Sequence, residues 1–312
     1  MTTDRDLIII GGGGAGLSAA QYGARGNLRT LVLEEFSSGG QALLIDALEN
    51  YPGFPEPING FDFTQRMEEQ AKKFGAEFKN ATVMSLRKVD GYFVVETDSG
   101  PVTSETVILA TGATHKTLGV PGEAELAGKG VSYCATCDGP FFKGKRILVV
   151  GGGDAACDEA MYLAHLACGV LMIHRKEKFR AQKSLASRVM ANAKIEVRFS
   201  TELRRIEGSP NVNRVTLVDN KTGREYEEAV DAVFVFIGSD PKSSLVQPLG
   251  VALDDVGYVE TNGLMETSLP GLYAVGDVRA TPFRQLVVAA AEGAIAAHAA
   301  GQFIDEQKGK CD

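Results

Sequence analysis

Read for apolar and polar positions alone, the chain opens on a short apolar run, Asp6 to Ile10 (DLIII). Glycines follow from Gly11 to Gly16, then an alanine-rich stretch from Leu17 to Arg25. A second apolar run, Thr30 to Leu33 (TLVL), ends in Glu34 and Glu35. This order predicts strand, glycine turn, helix, strand: one βαβ unit. The same grammar returns at Arg146 to Val150 (RILVV), with Gly151-Gly152-Gly153 as the turn, Asp154 to Ala167 as the helix and Val170 to Ile173 (VLMI) as the strand. Two more apolar strands, Val107 to Gly112 (VILATG) and Leu272 to Asp277 (LYAVGD), end in small residues and flank that second unit. The pattern predicts an α/β chain in which one domain is inserted into another. Residues 1–114 and 243–312 form the host and 115–242 the insert. The crossings fall near Gly112 to Gly119 and Gly238 to Ser244, where Gly, Pro and Ser gather as they do in linkers.

Composition narrows the class. A chain of 312 residues suits about two domains, each large enough for its own core. Apolar residues at 44% and charged residues at 23% are ordinary for a globular protein. The net charge is −8 and no long basic tract occurs, which sets nucleic-acid binding aside. The start, Met1-Thr2-Thr3-Asp4, lacks a basic region and a cleavage site, so no signal peptide is expected. The most apolar long stretch, Leu286 to Phe303, is interrupted by Glu292 and His298. It is expected to be a buried helix rather than a membrane span. Five cysteines, of which only Cys134 and Cys137 are close, fit a cytoplasmic protein with a dedicated redox pair.

Gly11, Gly13 and Gly16 fit G-x-G-x-x-G. The first glycine allows the tight turn, the second lets backbone approach a pyrophosphate, and the third lets helix and strand pack closely. The helix N-terminus then attracts the phosphate. An acid ending the next strand accepts ribose hydroxyls and repels a 2′-phosphate. Glu34 or Glu35 is that acid, with Glu34 favoured, so this site is expected to hold FAD or NAD rather than NADP. Gly151, Gly153 and Ala156 fit G-x-G-x-x-A. Here the second strand ends in His174-Arg175-Lys176, followed by Arg180. Such cations clamp a 2′-phosphate through charge-assisted bonds, although a basic stretch can equally be a solvated face. The expected ligands are NADPH at the second turn and, by elimination, FAD at the first. Both domains are thus expected to be Rossmann-like dinucleotide-binding folds.

Cys134 and Cys137 stand just ahead of the second fingerprint, spaced for a disulfide across one turn that exchanges with other dithiols. A structural zinc site needs two further ligands at comparable spacing. His115, His165, His174 and His298 are dispersed, so no metal is expected. A chance pair of buried thiols is the plainer alternative. Asp138 follows directly; a carboxyl beside the pair supplies protons if burial raises its pKa, or else it caps the Gly139-Pro140 turn.

The chain resembles the low-molecular-weight, bacterial-type thioredoxin reductases. The resemblance runs nearly end to end: GGGGAG (Gly11 to Gly16), GGQ (Gly39 to Gln41), ENYPG (Glu49 to Gly53), ATGA (Ala110 to Ala113), CATCDG (Cys134 to Gly139), GGGDAA (Gly151 to Ala156), HRKEKFRA (His174 to Ala181), GDV (Gly276 to Val278) and RQ (Arg284, Gln285). CATCD placed ahead of the second fingerprint is specific to this group. Glutathione-reductase-type relatives carry their pair in the FAD domain and add a dimerisation domain. The resemblance implies a homodimer that passes electrons from NADPH through FAD to Cys134–Cys137 and on to thioredoxin. It implies FAD contacts from Gly11, Gly13, Gly14, Ala15, Gly16, Glu34, Glu35, Gly40, Gln41, Asn50, Val83, Ala110, Thr111, Gly112, Gly276, Asp277, Arg284, Gln285 and Leu286. NADPH contacts fall to Gly151, Gly152, Gly153, Asp154, Ala155, His174, Arg175, Lys176, Arg180 and Gly238. Asp277 would bind the ribityl chain, and Gln285 would open a helix aimed at the flavin pyrimidine edge. Cys137 would be the flavin-proximal sulfur, Cys134 the one that attacks thioredoxin, and Asp138 the acid.

Two positions depart from the pattern. Gly14 stands where many members have proline, and Lys176 replaces a second arginine, keeping the charge but losing the planar fork. Cys311, alone near the tail, is read as incidental. Other readings keep the chemistry with a glutaredoxin-like or peroxiredoxin partner, leave the cysteines idle in an NAD(P)H oxidase or flavin electron carrier, or make the chain a redox-sensing binding protein rather than an enzyme. The cysteine pair and the NADPH site share the insert while the flavin belongs to the host. The insert is therefore expected to rotate about its crossings during turnover.

Overall fold

The computed structural model describes residues 3–45 and 47–309; Cys311 lies outside them. The chain divides into two units, Met1–Thr114 with Asp240–Asp312, and His115–Ser239.

The first unit begins with β1 (Arg5–Ile10), α1 (Gly14–Arg25) and β2 (Thr30–Glu34), then α2 (Gly60–Lys73) and β3 (Glu77–Asn80). A meander of β4 (Val83–Val89), β5 (Tyr92–Thr97) and β6 (Gly100–Leu109) follows. β1 is buried along nearly its whole length, as a parallel strand covered on both faces must be. β5 alternates half-buried and buried positions, the signature of a sheet with one covered face.

The chain then passes through β7 (Ala113–His115) into the second unit. There β8 (Val131–Ser132), the single turn α3 (Ala135–Asp138), β9 (Arg146–Gly151), α4 (Asp154–Leu166) and β10 (Gly169–His174) precede α5 (Lys183–Ala191) and β11 (Ile195–Phe199). An antiparallel ribbon of β12 (Thr201–Gly208), β13 (Val212–Asp219) and β14 (Glu225–Ala229) leads to β15 (Ala232–Phe236) and β16 (Ser239–Pro241). The parallel sheet runs β11-β10-β9-β15-β8.

Returning to the first unit, β17 (Leu272–Ala274) pairs with the C-terminal half of β6, and the chain ends its described course in α6 (Leu286–Gln307). The first sheet runs β3-β2-β1-β6-β5-β4. Both sheets therefore share one arrangement: the βαβ pair β1–β2 or β9–β10, a third parallel strand outside it, and a later strand on the other side of the first.

α6 packs on α1 through small residues. A Cβ added at Gly293 would come within 2.1 Å of the Ala15 carbonyl, and Ser18 Oγ donates to Ala290 O at 2.6 Å. The apolar stretch expected to be a buried helix is this one, with Ala296, Ala297, Ala299 and Ala300 in the core.

The second crossing falls between Ser239 and Asp240, short of the expected Lys242. Lys242 N donates to Gly112 O at 2.9 Å and Lys242 O accepts from Thr111 Oγ1 at 2.7 Å, so Lys242 is held by the first unit. β7 and β16, the two connections, pair with each other.

Candidate functional site

In the first unit the glycine turn is built around an open space. Gly11 has φ +104°, and a Cβ there would sit 2.4 Å from Ala110 O. A Cβ at Gly16 would meet Gly11 O at 1.9 Å, which is the close helix-to-strand packing the motif requires. At Gly13, by contrast, a Cβ would meet no protein atom within 4 Å. Gly13 caps α1 without a side-chain bond, and the first turn holds no acid, so its N–H groups face a space that suits an anion. Glu34 closes the other side. Its Oε2 accepts from Gly12 N at 2.7 Å and its Oε1 from Phe36 N at 3.2 Å. Glu35 is exposed and near Thr82 instead.

Other expected residues gather at this turn. A Cβ at Gly40 would lie 3.2 Å from Gly13 Cα, one at Gly276 3.2 Å from Ala15 Cβ, and one at Gly14 2.3 Å from Leu286 Cδ1. The last contact explains why the Gly14 departure is accommodated: Leu286 fills the room a side chain would need. Asn50 Nδ2 donates to Gln285 Oε1 at 3.1 Å, and Gln41 Nε2 to Ala113 O at 2.9 Å. Gln285 caps α6 without a side-chain bond to it, leaving that N-terminus open. The Arg284 guanidinium stacks on Tyr258, 4.2 Å from the ring centroid. Val83 packs instead on the apolar cluster that includes Leu33 and Leu86.

Asp277 sits in a turn held by a residue that the sequence motifs miss. Glu292, on α6, is buried; it accepts from Gly276 N at 2.7 Å and pairs with Arg279. The signal available in the sequence was a lone acid inside an apolar helix.

The second unit repeats the plan with opposite charge. A Cβ at Gly151 would lie 2.5 Å from Phe236 O, whereas at Gly153 it would meet nothing within 4 Å. Ala156, the third residue of the motif, is fully buried. His174 ends β10 with its ring against Gly152, and its Nε2 is buried without a hydrogen-bond partner. Burial, then the charges of Arg180, Arg175 and Lys176, hold His174 below the usual histidine pKa. Three cations thus converge on one ring. Among the described residues Arg175, Lys176 and Arg180 enter no ion pair, while Arg146, Arg198 and Arg214 all do.

The backbone of this basic loop is pinned from both sides. Arg180 N donates to Gly152 O at 2.7 Å, Ser200 N to Lys176 O at 3.0 Å, and Asn220 Nδ2 to Arg175 O at 3.3 Å. Asp154 Oδ1 accepts from Gln182 N at 2.7 Å, so this carboxylate tethers the loop. Ala155 is exposed at the start of α4. Gly238 has φ +110°, and its carbonyl accepts from Lys116 N at 3.0 Å.

The redox turn lies in the same unit. Cys134 and Cys137 form a disulfide, with Cα atoms 5.3 Å apart. Cys137 N donates to Cys134 Sγ at 3.2 Å. Ser132 Oγ donates to Asp138 Oδ2 at 2.6 Å and accepts from Cys134 N at 3.1 Å. Burial raises the Asp138 pKa, opposed by the Ser132 hydroxyl. Tyr133 is anchored too: its hydroxyl donates to the buried Glu123 at 2.9 Å, and its ring stacks on His115 at 5.5 Å. Glu123 also accepts from Leu118 N and Gly119 N at 3.0 and 2.7 Å, tying the first crossing to the strand before the cysteines. Nothing in the sequence singled out Glu123 or Ser132. Of the remaining thiols, Cys168 is exposed and Cys157 is buried, which pushes it up to about 11.

Two nucleotide cradles and an exchangeable disulfide are what an oxidoreductase needs to couple a disulfide to a pyridine nucleotide. The chain belongs to that class: the model of the pyridine nucleotide-disulphide oxidoreductase family matches residues 5–293. Within it, the chain is similar to the bacterial thioredoxin reductases. It is 52% identical to the thioredoxin reductase of Treponema pallidum over 305 residues, covering 98% of this chain and 99% of that one. With the thioredoxin reductase of Bacillus subtilis the identity is 45% over 302 residues, covering 96% and 95%. The crystal structure of thioredoxin reductase from Streptococcus pyogenes superposes with a TM-score of 0.92 at 39% identity, over 97% of this chain and 98% of that one. This chain is accordingly a disulfide reductase of the flavoprotein type, using a flavin and a pyridine nucleotide.

Proposed function

We propose that the chain is an NADPH-dependent thioredoxin-disulfide reductase, with FAD in the first unit, NADPH in the second, and Cys134–Cys137 as the exchanging disulfide. The observation that carries this reading is the disulfide itself, closed across one turn with a carboxyl whose pKa is raised beside it. The open space at Gly13 fits a pyrophosphate, and Glu34 at the end of β2 suits a ribose that lacks a 2′-phosphate. The second cradle suits the phosphorylated ribose, because among the described residues Arg175, Lys176 and Arg180 enter no ion pair and His174 Nε2 has no hydrogen-bond partner.

When bound, the flavin supplies a two-electron relay between nicotinamide and disulfide. The protein's own residues do the rest. Gly11 and Gly16 let the turn close on its own strand and helix, Gly13 leaves the space for the first nucleotide, and Asn50 and Gln285 stand at the N-terminus of α6. Asp138 holds the proton that the leaving sulfur takes. Cys134 is the sulfur that attacks the disulfide of thioredoxin, the protein that appears in the relatives' names. Free thiols at Cys157 and Cys168 beside one functional disulfide support a cytoplasmic setting, and the likeness to the family supports a homodimer.

Anaerobic NADPH titration of the purified holoenzyme tests the reading at the flavin band. Uptake of four electrons per flavin is expected, two by the flavin and two by the disulfide, falling to two in Cys137→Ser. Two-electron uptake by the unaltered enzyme, or full disulfide reductase turnover in Cys137→Ser, refutes it.

A further inference from the structure

Ser132 is buried at the end of β8 and touches both ends of the redox turn. Its hydroxyl accepts from Cys134 N at 3.1 Å and donates to Asp138 Oδ2 at 2.6 Å. A second acceptor, the Cys134 carbonyl, lies 3.3 Å from the same oxygen. A serine hydroxyl has one hydrogen and two lone pairs. With Asp138 ionised, the hydrogen points to the carboxylate. With Asp138 protonated, the carboxyl donates to the second lone pair and the serine hydrogen turns to the Cys134 carbonyl. Both arrangements use oxygens already in place, so no heavy atom has to move when Asp138 changes its charge.

We infer that Ser132 is a positioning residue, holding Asp138 against the redox turn in both protonation states and setting how readily it gives up its proton. The inference rests on the reading of Asp138 as the acid. In the overall reaction NADPH becomes NADP+, the S–S bond of the acceptor breaks and two S–H bonds form. One proton beyond the hydride equivalent must be supplied; Asp138 hands it over and recovers it from solvent.

The surroundings leave Ser132 as the lever. Burial raises the Asp138 pKa and the Ser132 hydroxyl lowers it. α4 packs on α3 and carries Asp154, Cys157, Asp158, Glu159, Tyr162 and His165, while Lys143 and Lys145 follow the turn. Among the described residues, neither these groups nor Tyr133, which follows β8, hydrogen-bonds to the Asp138 carboxyl, whereas the Ser132 hydroxyl does. Removing the hydroxyl takes a hydrogen bond from both forms of Asp138, but the charge-assisted bond to the ionised carboxylate is the stronger of the two, so the protonated form persists to higher pH.

The test uses the holoenzyme with oxidised thioredoxin and reads kcat/KM against pH. Ser132→Ala should move the Asp138 limb upward by about one pH unit, the size expected when a charged group loses one hydrogen bond. Ser132→Thr keeps the hydroxyl and should return the limb to its place. Asp138→Asn should abolish it. Should the alanine variant not fold, Ser132→Gly removes the same hydroxyl and must give the same shift. An unmoved limb in these variants, with Asp138→Asn still abolishing it, overturns the role of Ser132 while the acid stands. A limb that survives Asp138→Asn overturns the acid reading itself.

Discussion

Replacing Glu292 by alanine is expected to destabilise the first unit strongly. The side chain is 7% exposed and its partner Arg279 12%. Three groups turn to the carboxylate: Gly276 N at 2.7 Å, the Arg279 guanidinium, and Thr281 Oγ1 at 3.4 Å. Alanine leaves a guanidinium buried without its counter-charge, which costs about 3–5 kcal/mol. The unsatisfied Gly276 N–H falls within that figure rather than adding to it, because the groups form one network. In a unit of this size each kcal/mol shifts Tm by roughly 2–4 °C, so a fall on the order of 10 °C is expected. Flavin fluorescence on heating follows the release of the flavin that the proposed function assigns to this unit. The decisive comparison is the double variant Arg279→Met with Glu292→Met. Removing both charges together should destabilise much less than removing one, because an apolar pair leaves no buried ion behind. A single variant melting within about 2 °C of the unaltered protein, or a double variant melting below the single, would refute the argument.

Four further outcomes are expected. Gly13→Ala should leave the apoprotein's Tm unchanged yet weaken FAD binding at least about tenfold, because its Cβ meets no protein atom; Gly16→Ala, whose Cβ would lie 1.9 Å from Gly11 O, should unfold the apoprotein as well. Equilibrium dialysis and thermal denaturation separate the two. Arg180→Gln should raise KM for NADPH by about tenfold, one charge-assisted contact, while KM for NADH stays put; equal effects on both would count against a 2′-phosphate clamp. His174 should titrate below the ordinary histidine value of about 6.5, and below that pH the unfolded chain takes up a proton that the native ring refuses, so the second unit loses stability as pH falls. Imidazole NMR checks this, together with a rise in the midpoint when NADP+ brings its phosphate; a midpoint at or above 6.5 contradicts it. A cross-link joining the two units should stop steady-state turnover, as measured by NADPH consumption with thioredoxin; full activity would end the idea that the insert rotates.

Much of this site was legible in the chain because its parts are local. Gly11, Gly13 and Gly16 are constrained by one turn and one helix start, so a six-residue pattern carries the whole requirement. The contrast between Glu34 and the run His174-Arg175-Lys176 was readable for the same reason, since each ends the strand that follows its own turn. Cys134 and Cys137 needed only a spacing. The choice between Glu34 and Glu35 is geometric: the bond from Gly12 N reaches the residue that ends β2, and its neighbour faces away. Ser132 and Glu123 were invisible. Their partners are backbone groups, the Tyr133 hydroxyl and the Asp138 carboxyl, brought together by bends of the chain, and serine or glutamate in such a place looks like any surface residue. The division of the chain falls inside the expected Gly238 to Ser244 crossing, three residues before the boundary drawn at Lys242, and the bonds joining Lys242 to Gly112 and Thr111 give that residue to the first unit.

The order of residues by itself determined two glycine turns whose following strands end in opposite charge, and one close cysteine pair, since each depends on contacts within a few tens of residues. Tertiary structure alone decided how the acids are used. Glu292 became a buried counter-ion, Asp154 a tether for the basic loop, and Asp138 a carboxyl whose pKa is raised beside a serine. Burial and the arrival of partners from distant segments set the free energy of a charge, and neither is written in the residue that bears it.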